Sequence, residues 1–171
     1  MSNGNQATEP PAIQMAIKDI MSNFAASVTV VTSRVGDVDH GLTVSAFTSV
    51  SLEPPLILVC IELGAHSLNA MQSSAGFTVN MLREGRRQIA MKFASKDEDK
   101  FSGITTLEPD FAEAGLALPE DSFAVLECRT VDMFEAGDHV VFLGQVEHAW
   151  RVDPAAPLMY WRRSFGRITA G

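Results

Sequence analysis

Residues 41–55 read GLTVSAFTSVSLEPP, and the rest of the chain is organised around this stretch. Leu42, Val44, Ala46 and Val50 offer apolar side chains, while Thr43, Ser45, Thr48, Ser49 and Ser51 offer hydroxyls on a short reach. That composition predicts a β-strand running into a polar loop. Pro54 and Pro55 stop further pairing, because proline has no backbone N–H and fixes its own φ. A strand end rich in hydroxyls and free amides can donate hydrogen bonds to the oxygens of an anionic ligand. Taken alone, the same composition more often marks an edge strand or a turn.

Composition narrows the classes around this stretch. A chain of 171 residues is one domain, long enough to bury roughly two thirds of its unfolded surface. The longest apolar run, 56–61, has the length of a buried strand and falls far short of the ~20 residues that span a bilayer. The first eleven residues, MSNGNQATEPP, carry neither a basic nor an apolar segment. They read as a disordered leader over 1–11 ahead of a single domain over 12–168, and not as a signal peptide. The net charge of −8 argues against nucleic-acid and anionic-membrane partners, yet permits a local site for a small anion. Arg83, Arg86 and Arg87 form the dense basic cluster before the C-terminus. Cys60 and Cys128 sit in apolar runs without C-x-x-C spacing, which predicts buried free thiols in a cytoplasmic protein.

The elements follow from periodicity. Ile13, Ile17, Ile20, Met21 and Phe24 recur at helical spacing and predict one apolar stripe on a helix that begins near Pro10. A β-branched run at 28–33, a turn at Gly36-Asp37 and a strand from Gly41 come next. The unbroken apolar stretch at 56–62 predicts a third strand buried on both faces. Ser67 is placed to cap a short helix ending near Ser73, and a fourth strand spans 77–82. A helix over about 84–94 is followed by the charged run SKDEDKF, read as a solvated end, and by an irregular stretch at 103–121. Residues 124–134 and 140–152 flank EAGD as a long hairpin, and 158–162 form a last strand. Many strands, few helices and no βαβ alternation predict a mainly β, antiparallel barrel with a few short flanking helices.

Several chemistries lack their signature. There is no G-x-G-x-x-G, no phosphate-binding loop of the G-x-x-x-x-G-K type and no G-x-S-x-G elbow. His40, His66, His139 and His148 have no metal-ligand spacing, so no metal site is expected.

The run GLTVSAFTSVSLEPPLILVCI resembles the signature of the short-chain flavin reductases, a family with the FMN-binding split-barrel, Greek-key fold. NFAASVTVVTS before it, then FTVNMLREGRRQIAMKFASKDEDKF, GDHVVFLGQV and PLMYWRRSF, fall in the family's order, so the resemblance covers about 17–165. It implies an NAD(P)H:flavin oxidoreductase that reduces FMN or FAD with NADH or NADPH. It further implies a homodimer that supplies reduced flavin to a flavin-dependent monooxygenase component. An electron-transfer protein with bound FMN, or a non-catalytic flavin-binding module, remains open as an alternative on the same barrel.

Residue by residue, the resemblance implies flavin contacts from Thr29, Ser45, Ala46, Phe47, Thr48, Ser49 and Ser51. The amides near Ala46 and Phe47 would serve the pyrimidine edge, and the hydroxyls of Ser49 and Ser51 the phosphate. Ser67 is expected at an anion-favouring helix start, Asn80 near the flavin ring, and Arg83 or Arg87 on phosphate. His139 is the expected catalytic residue, meeting the nicotinamide or donating near N5 or N1, with Asp138 as its orienting partner. The tail departs from the family pattern: Trp161 and Arg163 stand where smaller residues are usual.

Overall fold

The computed structural model describes residues 12–97, 99–152 and 154–168; the leader expected over 1–11 lies outside them. Helix α1 (Ala12–Ser22) and strand β1 (Ala26–Ser27) lead into β2 (Thr29–Val35), β3 (Val38–Val44), β4 (Phe47–Leu52) and β5 (Pro55–Glu62). Helix α2 (Leu68–Ser73), strand β6 (Gly76–Leu82) and helix α3 (Arg87–Ala94) follow. The long strands β7 (Ser122–Ala136) and β8 (His139–Arg151) precede the short β9 (Met159–Trp161) and β10 (Ser164–Gly166).

Seven strands form one antiparallel sheet in the order β3-β2-β6-β7-β8-β5-β4, and β1-β9-β10 make a small second sheet. Strands alternate side chains between faces, so each contributes every second residue to one side. Val31, Val44, Ile57, Phe77, Cys128 and Phe142, from six strands of the large sheet, meet in a single buried cluster with Leu68 and Met71 of α2. Strands far apart in the sheet order can share one interior only if the sheet curls on itself, which makes a barrel with α2 as its plug. Its two edge strands, β3 and β4, are consecutive in the chain and joined by only Ser45 and Ala46.

A second layer packs outside the barrel. Ala90 and Phe93 of α3 join Val28, Val30, Leu82, Leu118 and Leu158 in another buried cluster. The helix comes this close because residue 41 is glycine: a Cβ there would lie 2.5 Å from Phe93 Cε1. The 103–121 connection is irregular, as expected, yet firmly held. Thr32 and Thr78 donate their hydroxyls to the Leu116 and Gly115 carbonyls, and the Glu127 carboxylate accepts from the Asp110 and Phe111 amides.

Several expectations are corrected. The strand begun at Gly41 starts earlier, at Val38, and its polar continuation is not a loop but the edge strand β4. Pairing with β5 overrides the loop-like composition, and Leu52 pairs with Pro55 itself. Strand β5 is fully buried on one face only: Ile57, Val59 and Ile61 are in the core, while Leu56, Leu58 and Cys60 are half-buried. Helix α3 starts at Arg87 rather than near 84, because Gly85 takes a φ of +82°, outside the helical region. Ser67 occupies the N-cap of α2 but makes no capping bond; its Oγ donates instead to the Gly41 carbonyl at 3.2 Å. The apolar stripe of α1 forms, yet no residue of that helix is buried. Both cysteines are free thiols, and burial with the nearby Glu127 and Glu147 pushes Cys128 up to about 12.

Candidate functional site

The Ser45–Ala46 link borders a cavity of about 420 Å³. Leu42, Val44, Ala46, Ile61 and Ala65 give its lining an apolar part, and Lys96 and Lys100 from the segment after α3 bring cations to it. His66 and Ser67, just before α2, and His139, the first residue of β8, complete the lining. Ala46 is tied to β5 by the Cys60 N–H donating to its carbonyl at 2.9 Å. Among the described residues the N–H groups of Ser45 and Ala46 find no acceptor, which leaves both available to a ligand.

Lys96 and Glu62 bring opposite charges to the lining, and two further groups, Lys100 and His139, are held by named partners. Lys100 is half-buried, and its Nζ donates to the Gly41 and Phe93 carbonyls, each at 3.1 Å. Burial holds this ammonium below the ordinary lysine value, while Asp97 opposes the shift. An arriving anion would therefore meet a cation short of compensating charge. His139 opens β8 just after the two-residue turn that begins with Gly137 at a φ of +64°. Its Nδ1 lies 2.7 Å from Asp138 Oδ1, and this bond holds the Asp138 carboxyl below the usual carboxylate range. A carboxylate only accepts, so the shared proton sits on Nδ1 and Nε2 is left for a group in the cavity.

The expected site residues fall into four groups. Ser45, Ala46, Ser67 and His139 line this cavity together. Phe47 and Thr48 border an apolar cleft of about 440 Å³, with Phe24, Leu58, Tyr160 and Arg163, which shares Ser45, Ala46 and Cys60 with the first cavity. Ser49 and Ser51 lie on β4 outside both, and Ser51 Oγ accepts from the Glu53 amide. The remaining four have structural partners. Thr29 is buried and donates to the Val44 carbonyl. Asn80 is fully buried; it donates to the Val30 and Leu116 carbonyls and accepts from the Leu118 amide at 2.7 Å. The Arg83 N–H donates to the Asp121 carbonyl, and the Arg87 guanidinium sits 5.8 Å from the Phe165 ring, in neither cavity.

Sequence reasoning missed Lys96, Lys100 and His66. The two lysines belong to a run of alternating charge that reads as solvated surface. The signal that finds them is Gly41, whose missing side chain lets α3 and the segment after it lie over the barrel mouth. A partly apolar slot lined by free amides, Lys96, Lys100, His66, His139 and the Glu62 carboxylate fits a flat heteroaromatic ring with a phosphate tail.

Comparison with known proteins gives this fit a family. Residues 21–169 match the family description "Flavin reductase like domain". The chain is 37% identical over 158 residues to an actinorhodin polyketide dimerase of Streptomyces coelicolor, covering 92% of this chain and 88% of that protein. It is 33% identical over 157 residues to the reductase component of 4-hydroxyphenylacetate 3-monooxygenase of Thermus thermophilus, covering 90% and 95%. The structure superposes on the NADH:FAD oxidoreductase of Streptomyces globisporus, solved with NAD and FAD fragments, with a TM-score of 0.85, 30% identity and coverage of 94% and 95%. The chain belongs to the flavin reductase family, and its curled seven-stranded sheet is that family's split barrel.

Proposed function

We infer that the chain is an NAD(P)H:flavin oxidoreductase of the cytoplasm, carried by one domain over 12–168, which supplies reduced flavin to a partner monooxygenase. The observation that carries the reading is the cavity at the Ser45–Ala46 link, lined both by free amides and by Lys96 and Lys100. The relatives named above as a monooxygenase reductase component and an NADH:FAD oxidoreductase support the donor and the recipient. A bound flavin supplies the capacity to take a hydride from NAD(P)H and carry it away on release.

The chain's own residues bind, orient and balance charge. The Ser45 and Ala46 amides hold the polar edge of the ring, and Leu42, Val44 and Ile61 cover its apolar side. Lys96 and Lys100 hold the phosphate, in place of the Ser49 and Ser51 hydroxyls and of Arg83 or Arg87. His139, fixed by Asp138, offers Nε2 to the reacting end and holds or delivers a proton there. Anaerobic titration of the protein and FMN with NADH tests this, following the flavin absorbance. Rapid, protein-dependent bleaching is expected; flavin that binds and stays oxidised would leave only a binding module. Replacing both Lys96 and Lys100 by methionine should weaken FMN binding about tenfold or more while riboflavin affinity changes little, since only FMN carries phosphate. Equal losses for both ligands would remove the lysines from the phosphate.

The assembly is a homodimer. Support comes from α1, where Ile17 and Ile20 are 53% and 67% exposed, from Phe24 just after it at 68%, and from the half-buried outer face of β5. A helix with no buried residue gains little from its own chain beyond the Arg162 amide on its last carbonyl, and its apolar stripe calls for a second surface. Ile17→Asp with Ile20→Asp should halve the mass measured by sedimentation equilibrium. An unchanged mass would place the subunit contact elsewhere.

A further inference from the structure

The cavity at the Ser45–Ala46 link holds a carboxylate that anion binding does not call for. Glu62, the exposed last residue of β5, is the single acid among lining residues that otherwise bring two lysines and two histidines. Among the described residues no cation pairs with it, Lys96 and Lys100 included. A solvated acid without a partner adds nothing to the fold, and in a phosphate site it repels the ligand.

The sheet sets its position. Glu62 and His139 stand directly opposite each other on β5 and β8. Opposite residues of an antiparallel pair project to the same face, with Cβ atoms about 5 Å apart. The Leu63 N–H donates to the Asp138 carbonyl at 2.9 Å, which ties the turn before His139 to the end of β5. The Asp138 carboxylate is taken up by Nδ1 of the imidazole, so Glu62 is the unengaged acid beside His139. Phosphates are drawn to the lysines and driven from Glu62, which leaves the neighbourhood of Glu62 and His139 to an uncharged ring.

Hydride transfer gives a carboxylate there a purpose. As the hydride leaves C4 of a dihydronicotinamide, a C–H bond breaks and both of its electrons go with the hydrogen to the flavin. The neutral nicotinamide ring becomes a pyridinium cation, and the flavin gains the matching negative charge. A fixed carboxylate beside that ring favours the oxidised form over the reduced one. It also lowers the barrier, because part of the positive charge has already appeared in the transition state.

We propose that Glu62 faces the nicotinamide ring and stabilises the positive charge that develops on it. The assignment rests on the flavin reductase reading, with His139 at the reacting group, and adds to it the residue that favours departure of the hydride.

Glu62→Gln keeps the shape of the side chain and removes its charge. Dissociation constants for NAD+ and NADH are measured by calorimetry on flavin-free protein, where no turnover occurs. Hydride transfer is followed separately by anaerobic mixing of NADH with FMN-loaded protein. The variant should bind NAD+ about tenfold more weakly, keep NADH and FMN within about twofold, and transfer hydride several-fold more slowly. Glu62→Asp should recover most of the preference for NAD+. The same change in the ratio of the two constants is expected when His139→Ala is the starting protein. A ratio that Glu62→Gln leaves unmoved overturns the proposal. So does a change that disappears without His139, since Glu62 would then act through the imidazole. Wild-type protein that leaves bound flavin oxidised under NADH defeats the parent reading instead, and that control is read before any variant is compared.

Discussion

Gly115→Ala is expected to destabilise the protein by more than about 3 kcal/mol, lowering the urea midpoint or preventing folding. A Cβ at position 115 would lie 2.3 Å from the carbonyl carbon of Thr32 and 2.4 Å from the Ser33 nitrogen. Both are backbone atoms of a strand held in register on two sides, so neither can yield as the tip of a flexible side chain would. Any relief must move the 103–121 connection outward. That movement stretches the Thr78 bond to the Gly115 carbonyl and the Thr32 and Asn80 bonds to the Leu116 carbonyl. Gly166→Ala is the control, since a Cβ there meets nothing within 4 Å, and it should stay within about 0.5 kcal/mol of wild type. Equal stabilities for the two variants would show that the connection is not seated as described.

His139→Ala should slow anaerobic flavin reduction by NADH on the order of 100-fold while flavin affinity stays within about twofold. On the reading proposed above the loss falls on the rate, because the imidazole serves the reacting group while binding rests on the Ser45 and Ala46 amides and the two lysines. Asp138→Asn should give an intermediate loss with an altered pH profile. The amide can donate to Nδ1, which moves the ring proton to Nε2 and reverses its role. A His139→Ala protein that reduces flavin at the wild-type rate would make this histidine only the residue that follows a turn.

Much of the barrel is legible in the sequence because local and global demands agree there. The β-branched run of β2, the Gly36-Asp37 turn and the EAGD hairpin each satisfy strand or turn chemistry without help from distant contacts. The break at Ser45–Ala46 is different. Apolar and hydroxyl residues interleave from Leu42 through Ser51, and no glycine or proline marks the point where the chain leaves one sheet edge for the other. Only closure of the sheet fixes that point. Asn80 illustrates the same gap in reverse: its polarity at a strand end reads as ligand chemistry, yet it satisfies the carbonyls and amide of a connection more than thirty residues away. Lys96 and Lys100 read as solvated charge because their position depends on the absent side chain of Gly41, fifty-nine residues before Lys100.

The two-residue seam between the sheet edges has a thermodynamic consequence. A ligand held there touches β3, β5 and the segment after α3 at once, so it binds the closed barrel and not the unfolded chain. Such binding adds stability by mass action, about 2.7 kcal/mol at a free ligand concentration one hundred times the dissociation constant. For an enzyme that hands its flavin to another protein, each release returns it to its softer, unliganded form. Its resistance to cellular proteases then follows the supply of free flavin, and a cell short of flavin would lose the reductase before it lost the demand for it.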